Sequence, residues 1–236
     1  YIASLFGMTL FDIISTIMKP VENIMTGLPG YCVIIMLMQL LWWFGIHGSN
    51  VLGAVTTPFM TKMMAQNLEL YQAGTDVTAS GVYYSSTSPY NLIASPFVSG
   101  WFNPSGAGIT IGLLVAIMLF SKRDDYKAIA KLAIPCGIFN INEPIIFGIP
   151  MVMNPLLGIP FFLAPLATVI LGYVVQSVGI CPLYVIDVPW TTPVGIFGFL
   201  ASGGNLWGAL WQIIIIVGVS TLVYTPFVIA SNREEA

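Results

Sequence analysis

The chain has 236 residues, of which 57% are hydrophobic and 7% charged, and its mean hydropathy is +0.89. Soluble domains carry about 25% charged residues, so this is a polytopic helical membrane protein; runs such as Trp207 to Val219 lack the alternation of barrel strands. A net charge of −3, with no basic cluster interleaved with aromatics, excludes a nucleic-acid partner.

The sequence opens at Tyr1 on apolar residues, without a basic n-region or a small-residue cleavage site, and reads as part of a longer chain. Tyr1 to Met18 is apolar apart from Asp12 and is broken by Lys19, Pro20, Glu22 and Asn23. It is short of the roughly 20 residues a span needs and reads as the end of a membrane helix or as an interfacial helix. Pro29 and Gly30 launch an equally short run from Tyr31 to Phe44, closed by the Trp42 and Trp43 pair that suits a membrane interface.

Gly45-Ile46-His47-Gly48-Ser49-Asn50 comes next, with the chain's only histidine bracketed by glycines. Glycine lets backbone approach a bound group, and histidine exchanges a proton near neutral pH. A lone histidine is more often structural, but the half-length run before it and the polar residues after it make His47 a site candidate. The predicted helix from Val51 to Gln66 includes Pro58 and Lys62, so the pair reads as a hairpin dipping into the membrane.

Asn67 to Ser105 is the most polar stretch and reads as a long loop structured over a site or an outer surface. Ile109 to Phe120 is a clean apolar run that stops at Ser121-Lys122-Arg123-Asp124-Asp125. Four of the seven basic residues lie between Lys122 and Lys131, which places that loop in the cytoplasm by the positive-inside rule.

Between Lys131 and Arg233 the only charged residues are Glu143 and Asp187. An ionised carboxylate in hydrocarbon costs several kcal/mol, so Glu143 faces protein, water or a ligand and is a site candidate by default. Pro144 biases Glu143 away from helical geometry and suits a first helical turn, so Asn142 and Glu143 fall where an irregular segment becomes a helix. Pro150, Asn154 and Pro155 interrupt the apolar residues beyond it, the pattern of a re-entrant or broken element beside a cavity.

Leu156 to Val178 is long enough to span, with kinks expected at Pro160 and Pro165. Tyr184 to Asn205 is broken again and carries Trp190 beside Thr191 and Thr192, a flat apolar face with adjoining hydroxyls that can hold a sugar ring. An interfacial tryptophan is the plainer alternative. Leu206 to Ala230 is the last full span, and Ser231 to Ala236 is a charged end. The expected fold class is an all-α polytopic membrane protein with transmembrane helices and re-entrant or broken helical hairpins, organised like a transporter. Cys32, Cys136 and Cys181 are widely separated in apolar runs and read as inert thiols, with no metal site.

GIHGSN at Gly45 to Asn50, SKRDDYKAIAKLA at Ser121 to Ala133, FNINEPIIFG at Phe139 to Gly148 and VPWTTP at Val188 to Pro193 together resemble the membrane component, enzyme IIC, of the phosphoenolpyruvate-dependent phosphotransferase system. The similarity is to the lactose, cellobiose and N,N′-diacetylchitobiose branch and covers essentially the whole chain. It implies that residues 1–236 are the substrate-binding half of the membrane domain and that the N-terminal, dimer-interface half is absent. It also implies a multi-pass protein of the bacterial plasma membrane, a homodimer in full-length form, with a disaccharide and phosphorylated enzyme IIB as partners.

By the same resemblance, Glu143 is the carboxylate near the sugar's C6 hydroxyl, Asn142 and His47 are polar partners of the ring, Trp190 stacks on it and Thr191 adjoins it. The phosphoryl donor is a cysteine of enzyme IIB, so none of the three cysteines here is expected to serve, and no cofactor is implied. Physical chemistry alone leaves open a proton-coupled secondary transporter with Glu143 as the proton carrier. A membrane glycosidase would need a second carboxyl group within about 5–10 Å of Glu143, and only Asp187 is on offer.

Overall fold

A computed structural model describes residues 24–25, 27–78 and 81–233. The Tyr1 to Met18 element and its polar break up to Asn23 lie outside the described residues. The described part is mostly helical. Helix α1 spans Leu28–Trp43 and has proline in its first turn. It ends in a glycine-based stop: Gly45, at φ 80°, donates to Trp42 O, and Ile46 donates to Leu41 O. Glycine adopts that left-handed conformation at no steric cost, which reverses the chain and delivers His47 to the start of the next helix.

Helix α2 spans Gly48–Gln72 and carries Pro58 inside it. It is therefore longer than the Val51 to Gln66 helix expected, and the stretch from Asn67 to Ser105 is correspondingly less of a loop. Its first turns continue α2, a two-residue ladder joins β1 (Val77–Thr78) to β2 (Gly81–Val82), and its end forms helix α3 (Ser95–Trp101). Polar residues misled here because they serve tertiary bonds: Asn67 Nδ2 donates to Asn91 O at 2.8 Å, and Asn91 N donates back to Asn67 Oδ1 at 2.8 Å.

Helices α4 (Thr110–Phe120) and α5 (Asp124–Ile138) form an antiparallel pair. The basic segment is thus only partly a loop, since Lys127 and Lys131 lie on α5, which opens on Asp124 and Asp125 as its macrodipole favours. Arg123 pairs with Asp125 (Nη2 to Oδ2, 2.6 Å) and lies 3.8 Å over the Tyr126 ring. The guanidinium beside Asp125 holds its carboxyl below the ordinary carboxylate range.

Next come the short helix α6 (Glu143–Gly148), α7 (Pro155–Ser177), the short α8 (Ile196–Ala201) and α9 (Leu206–Ser231), which widens to π geometry over Ile214–Val219. α7 and α9 are long and apolar enough to cross a membrane, close to the two full spans expected. α7 continues through Pro160 and Pro165, and Asn154 caps it by accepting from Leu156 N and Leu157 N.

The core gathers where α9 packs against α4 and α7. Gly112 of α4 meets Ser220 of α9 so closely that a Cβ at Gly112 would overlap it. Trp101 stacks on Tyr184 at 5.2 Å and fits over Gly172 of α7. Leu163, Ile170, Leu210 and Leu222 point outward and are exposed. In water such a surface would be an aggregation liability, whereas a bilayer covers it.

Candidate functional site

Four segments that are distant in sequence meet at one cavity of about 710 Å³, within the range of ligand sites. The end of α1 and the start of α2 supply Trp42, His47, Ser49 and Asn50. The turn after α3 supplies Asn103, Gly106 and Ala107; the approach to α6 supplies Asn140 to Pro144; and the loop before α8 supplies Trp190.

His47 is the N-cap of α2: its Nδ1 accepts from Asn50 N at 3.2 Å. That bond assigns the neutral ring's proton to Nε2, so the imidazole offers the cavity an N–H donor. The ring lies 4.2 Å from that of Trp42, tilted by 47°. Trp42 is 5% exposed and lines the cavity, so the interfacial reading given to the Trp42 and Trp43 pair does not hold for it. Trp43 instead donates from Nε1 to Asn154 O at 3.3 Å, joining α1 to the cap of α7.

Glu143 is the first residue of α6 and Pro144 the second, the junction the sequence indicated. Its side chain is exposed on the cavity, where an open space gives a carboxylate a solvated position within an otherwise apolar chain. Among the described residues lining the cavity it is the only carboxylate. Asp187 does not line it, so the two-carboxylate arrangement a glycosidase needs is not assembled here.

Asn142 is 3% exposed, and its Nδ2 donates to Ala107 O at 2.7 Å. This bond fastens the start of α6 to the turn after α3, and the carbonyl oxygen is left to accept from a ligand. The approach is tight because Gly106 has φ 72° and a Cβ there would overlap the Asn142 carboxamide. Glycine is required at that position on both counts.

Trp190 is 54% exposed, and its ring borders the cavity. Thr191, included with it on the sequence, is half-buried and not among the cavity-lining residues. Two polar side chains place the tryptophan loop. Asn140, at φ 66°, donates from Nδ2 to Trp190 O at 2.5 Å and to Thr192 O at 3.0 Å, and its Oδ1 accepts from Ser105 N at 2.6 Å. Gln212 of α9, fully buried, accepts from Gly195 N and Gly198 N at 2.8 Å each and donates to Gly100 O at 3.0 Å. Asn140 and Asn103 were not singled out on the sequence, and Trp42 was singled out only as an interface residue. The available signal for Asn140 was an asparagine beside the Glu143 motif, a residue type that tolerates the left-handed conformation.

Chemically, the cavity offers one carboxylate, one imidazole N–H donor, several carboxamides and two indole faces. The lining provides no group of three or more His, Cys, Asp or Glu side chains able to hold a metal ion among the described residues. Cys32, Cys136 and Cys181 are free thiols that do not line it.

The sequence profile of the family described as "Phosphotransferase system, EIIC" matches residues 1–165. The chain is 38% identical over 221 residues to the "Lichenan permease IIC component" of Bacillus subtilis (strain 168), covering 93% of this chain and 46% of that protein. It is 35% identical over 230 residues to the "PTS system cellobiose-specific EIIC component" of Lactococcus lactis subsp. lactis (strain IL1403), covering 93% and 46%. Its fold superposes with a TM-score of 0.86, at 31% identity, on the crystal structure of the transporter ChbC, the IIC component from the N,N'-diacetylchitobiose-specific phosphotransferase system, over 99% of this chain and 52% of that one. The chain therefore spans about half the length of the curated relatives it matches.

Proposed function

The chain belongs to the phosphotransferase system EIIC family, and from that premise we propose that it is the substrate-binding half of a sugar permease for a disaccharide of the cellobiose, lactose or N,N′-diacetylchitobiose type. The observation that carries this reading is the convergence of His47, Asn142, Glu143 and Trp190 on one cavity from separate segments. Trp190 stacks on a pyranose face, His47 Nε2 donates to a ring hydroxyl, and Asn142 accepts from another. Glu143 accepts from the C6 hydroxyl.

Phosphorylated enzyme IIB then supplies the phosphoryl group from its cysteine. The C6 oxygen attacks phosphorus, the S–P bond breaks, the thiolate leaves, and the hydroxyl proton passes to the Glu143 carboxylate. In this reading the His47 and Glu143 segments are re-entrant elements of a multi-pass protein in the bacterial plasma membrane, and the full-length form is a homodimer through the half that this chain does not represent.

Glu143→Gln in the full-length protein tests the assignment. The amide keeps the shape and one acceptor oxygen but is no base at physiological pH. Enzyme IIB-dependent phosphorylation of cellobiose in vesicles should fall about 10²- to 10⁴-fold, while equilibrium binding falls much less. Near-normal phosphorylation would remove Glu143 from the chemistry. Accumulation of unmodified sugar driven by a proton gradient would replace this reading with proton-coupled transport, Glu143 carrying the proton.

A further inference from the structure

We propose that the open groove between α4 and α5 is a binding site for one anionic phospholipid, held by an acyl chain along the groove and by its phosphate on two lysines at one end. The groove holds about 300 Å³. Leu114, Val115, Met118 and Leu119 of α4 form one wall and Ile134 and Ile138 of α5 the other, and no polar side chain lines it. From Ile111 to Leu119 it follows about 12 Å of helix, most of one leaflet of a hydrocarbon core about 30 Å thick.

That lining selects an alkyl chain. A slot without a hydrogen-bonding group offers nothing to a sugar or to an exposed backbone, whereas an alkyl chain needs only dispersion contact. Met118, Leu119 and Ile138 are exposed, so the described residues leave the groove unfilled.

Charge selects the headgroup. Lys127, Lys131, Ile134 and Ile138 follow one another on α5 at spacings of four, three and four residues, which puts all four on one helix face. The two lysines therefore continue the α5 wall toward the turn between the helices, where Lys122 is exposed as well. Lys127 is half-buried, laying its alkyl stem on apolar surface while the ammonium reaches out. Among the described residues no carboxylate pairs with Lys122, Lys127 or Lys131: Asp125 is taken by Arg123, and Asp124 is exposed. Four basic residues against these two aspartates leave a net charge of +2 between Lys122 and Lys131.

A phosphate seated on Lys127 and Lys131 has its chains in line with the groove. An anionic lipid such as phosphatidylglycerol gains from both lysines, whereas phosphatidylcholine brings its own cation to the same place and gains less. The lysine end is the one expected in the cytoplasm, so the lipid belongs to that leaflet. Occupancy of the groove does not depend on what the main cavity binds.

Photo-crosslinking tests this in full-length protein reconstituted into phosphatidylcholine vesicles that carry a small fraction of phosphatidylglycerol with a diazirine on one acyl chain. Illumination should label peptides from α4 and α5, and the same photoprobe with a choline headgroup should label them severalfold less. Lys127→Gln combined with Lys131→Gln should cut phosphatidylglycerol labelling about tenfold or more, since each lysine contributes about fivefold. Arginine at both positions should retain the labelling. Met118→Trp fills the groove from an exposed position and should remove labelling by both probes.

Equal labelling of the wild type by the two headgroups would leave an unselective hydrocarbon slot and overturn the inference, as would labelling indifferent to the glutamine pair. No labelling of α4 or α5 would mean that another part of the full-length chain covers the groove, which overturns it too. If the glutamine pair does not fold, the comparison of headgroups on wild-type protein still decides.

Discussion

The Asn140 carboxamide donates to the main-chain oxygen of Trp190 at 2.5 Å, so the tryptophan on one wall of the cavity is held by the segment that carries Glu143 on another. The bond links positions 50 residues apart and sets the spacing between a stacking face and a carboxylate. Neither residue's own surroundings would fix that spacing, because Trp190 lies in an irregular loop and is half exposed.

Removing that carboxamide should therefore cost both stability and binding. Asn140→Ala leaves the Ser105 N–H and two carbonyls without their partner and puts alanine at φ 66°, so a loss of about 2–4 kcal/mol is expected. Asn140→Gly relieves the backbone but not the missing bonds and should recover about 1 kcal/mol of that. Both variants should bind sugar less well than wild type. Thermal unfolding and calorimetry on the purified protein check this, and wild-type affinity in both would show that the loop needs no such tether.

Trp190→Ala should weaken sugar binding by about 1–3 kcal/mol, the scale of stacking losses on other ring platforms. Trp190→Phe should keep much of the affinity, since a flat face remains. Because the ring is half exposed, neither change should shift the melting temperature appreciably. Unchanged binding in Trp190→Ala would return the residue to the interfacial role.

His47 combines a cap with a donor, and two substitutions separate them. Asparagine is a strong N-cap, so His47→Asn should keep the stability of α2 while losing the Nε2 donor and the Trp42 contact, with a tenfold or greater loss of sugar affinity. His47→Ala should lose about 1 kcal/mol of stability as well. Sugar binding by His47→Asn at the wild-type level would leave the residue a cap and nothing more.

The segment from Lys122 to Lys131 should face the cytoplasm. Asp125 is exposed near the N-terminus of α5, so a thiol at that position would be accessible to solvent. With the three native cysteines replaced, Asp125→Cys should resist an impermeant maleimide in intact cells and react once the membrane is permeabilised. Labelling from outside would invert the topology.

Composition by itself determined the class, because about 7% charge in a 57% hydrophobic chain cannot form a soluble surface. Local chemistry also made Glu143 and His47 visible. An isolated carboxylate next to proline in an apolar run has few inert placements, and a glycine-flanked histidine marks a chain reversal, which proved to be the stop of α1 and the cap of α2. The two helices long and apolar enough to cross a membrane were legible in their continuous apolar length.

Only the tertiary structure decided which polar and aromatic residues share a cavity. Trp42 and Trp43 are neighbours with the same local pattern, yet helical geometry turns one toward His47 and the other toward Asn154. Thr191 adjoins Trp190 in sequence but does not line the cavity, since adjacent residues of an irregular loop need not face the same way. The bonds of Asn140 and Gln212 join segments up to 112 residues apart, and no local periodicity records such a contact.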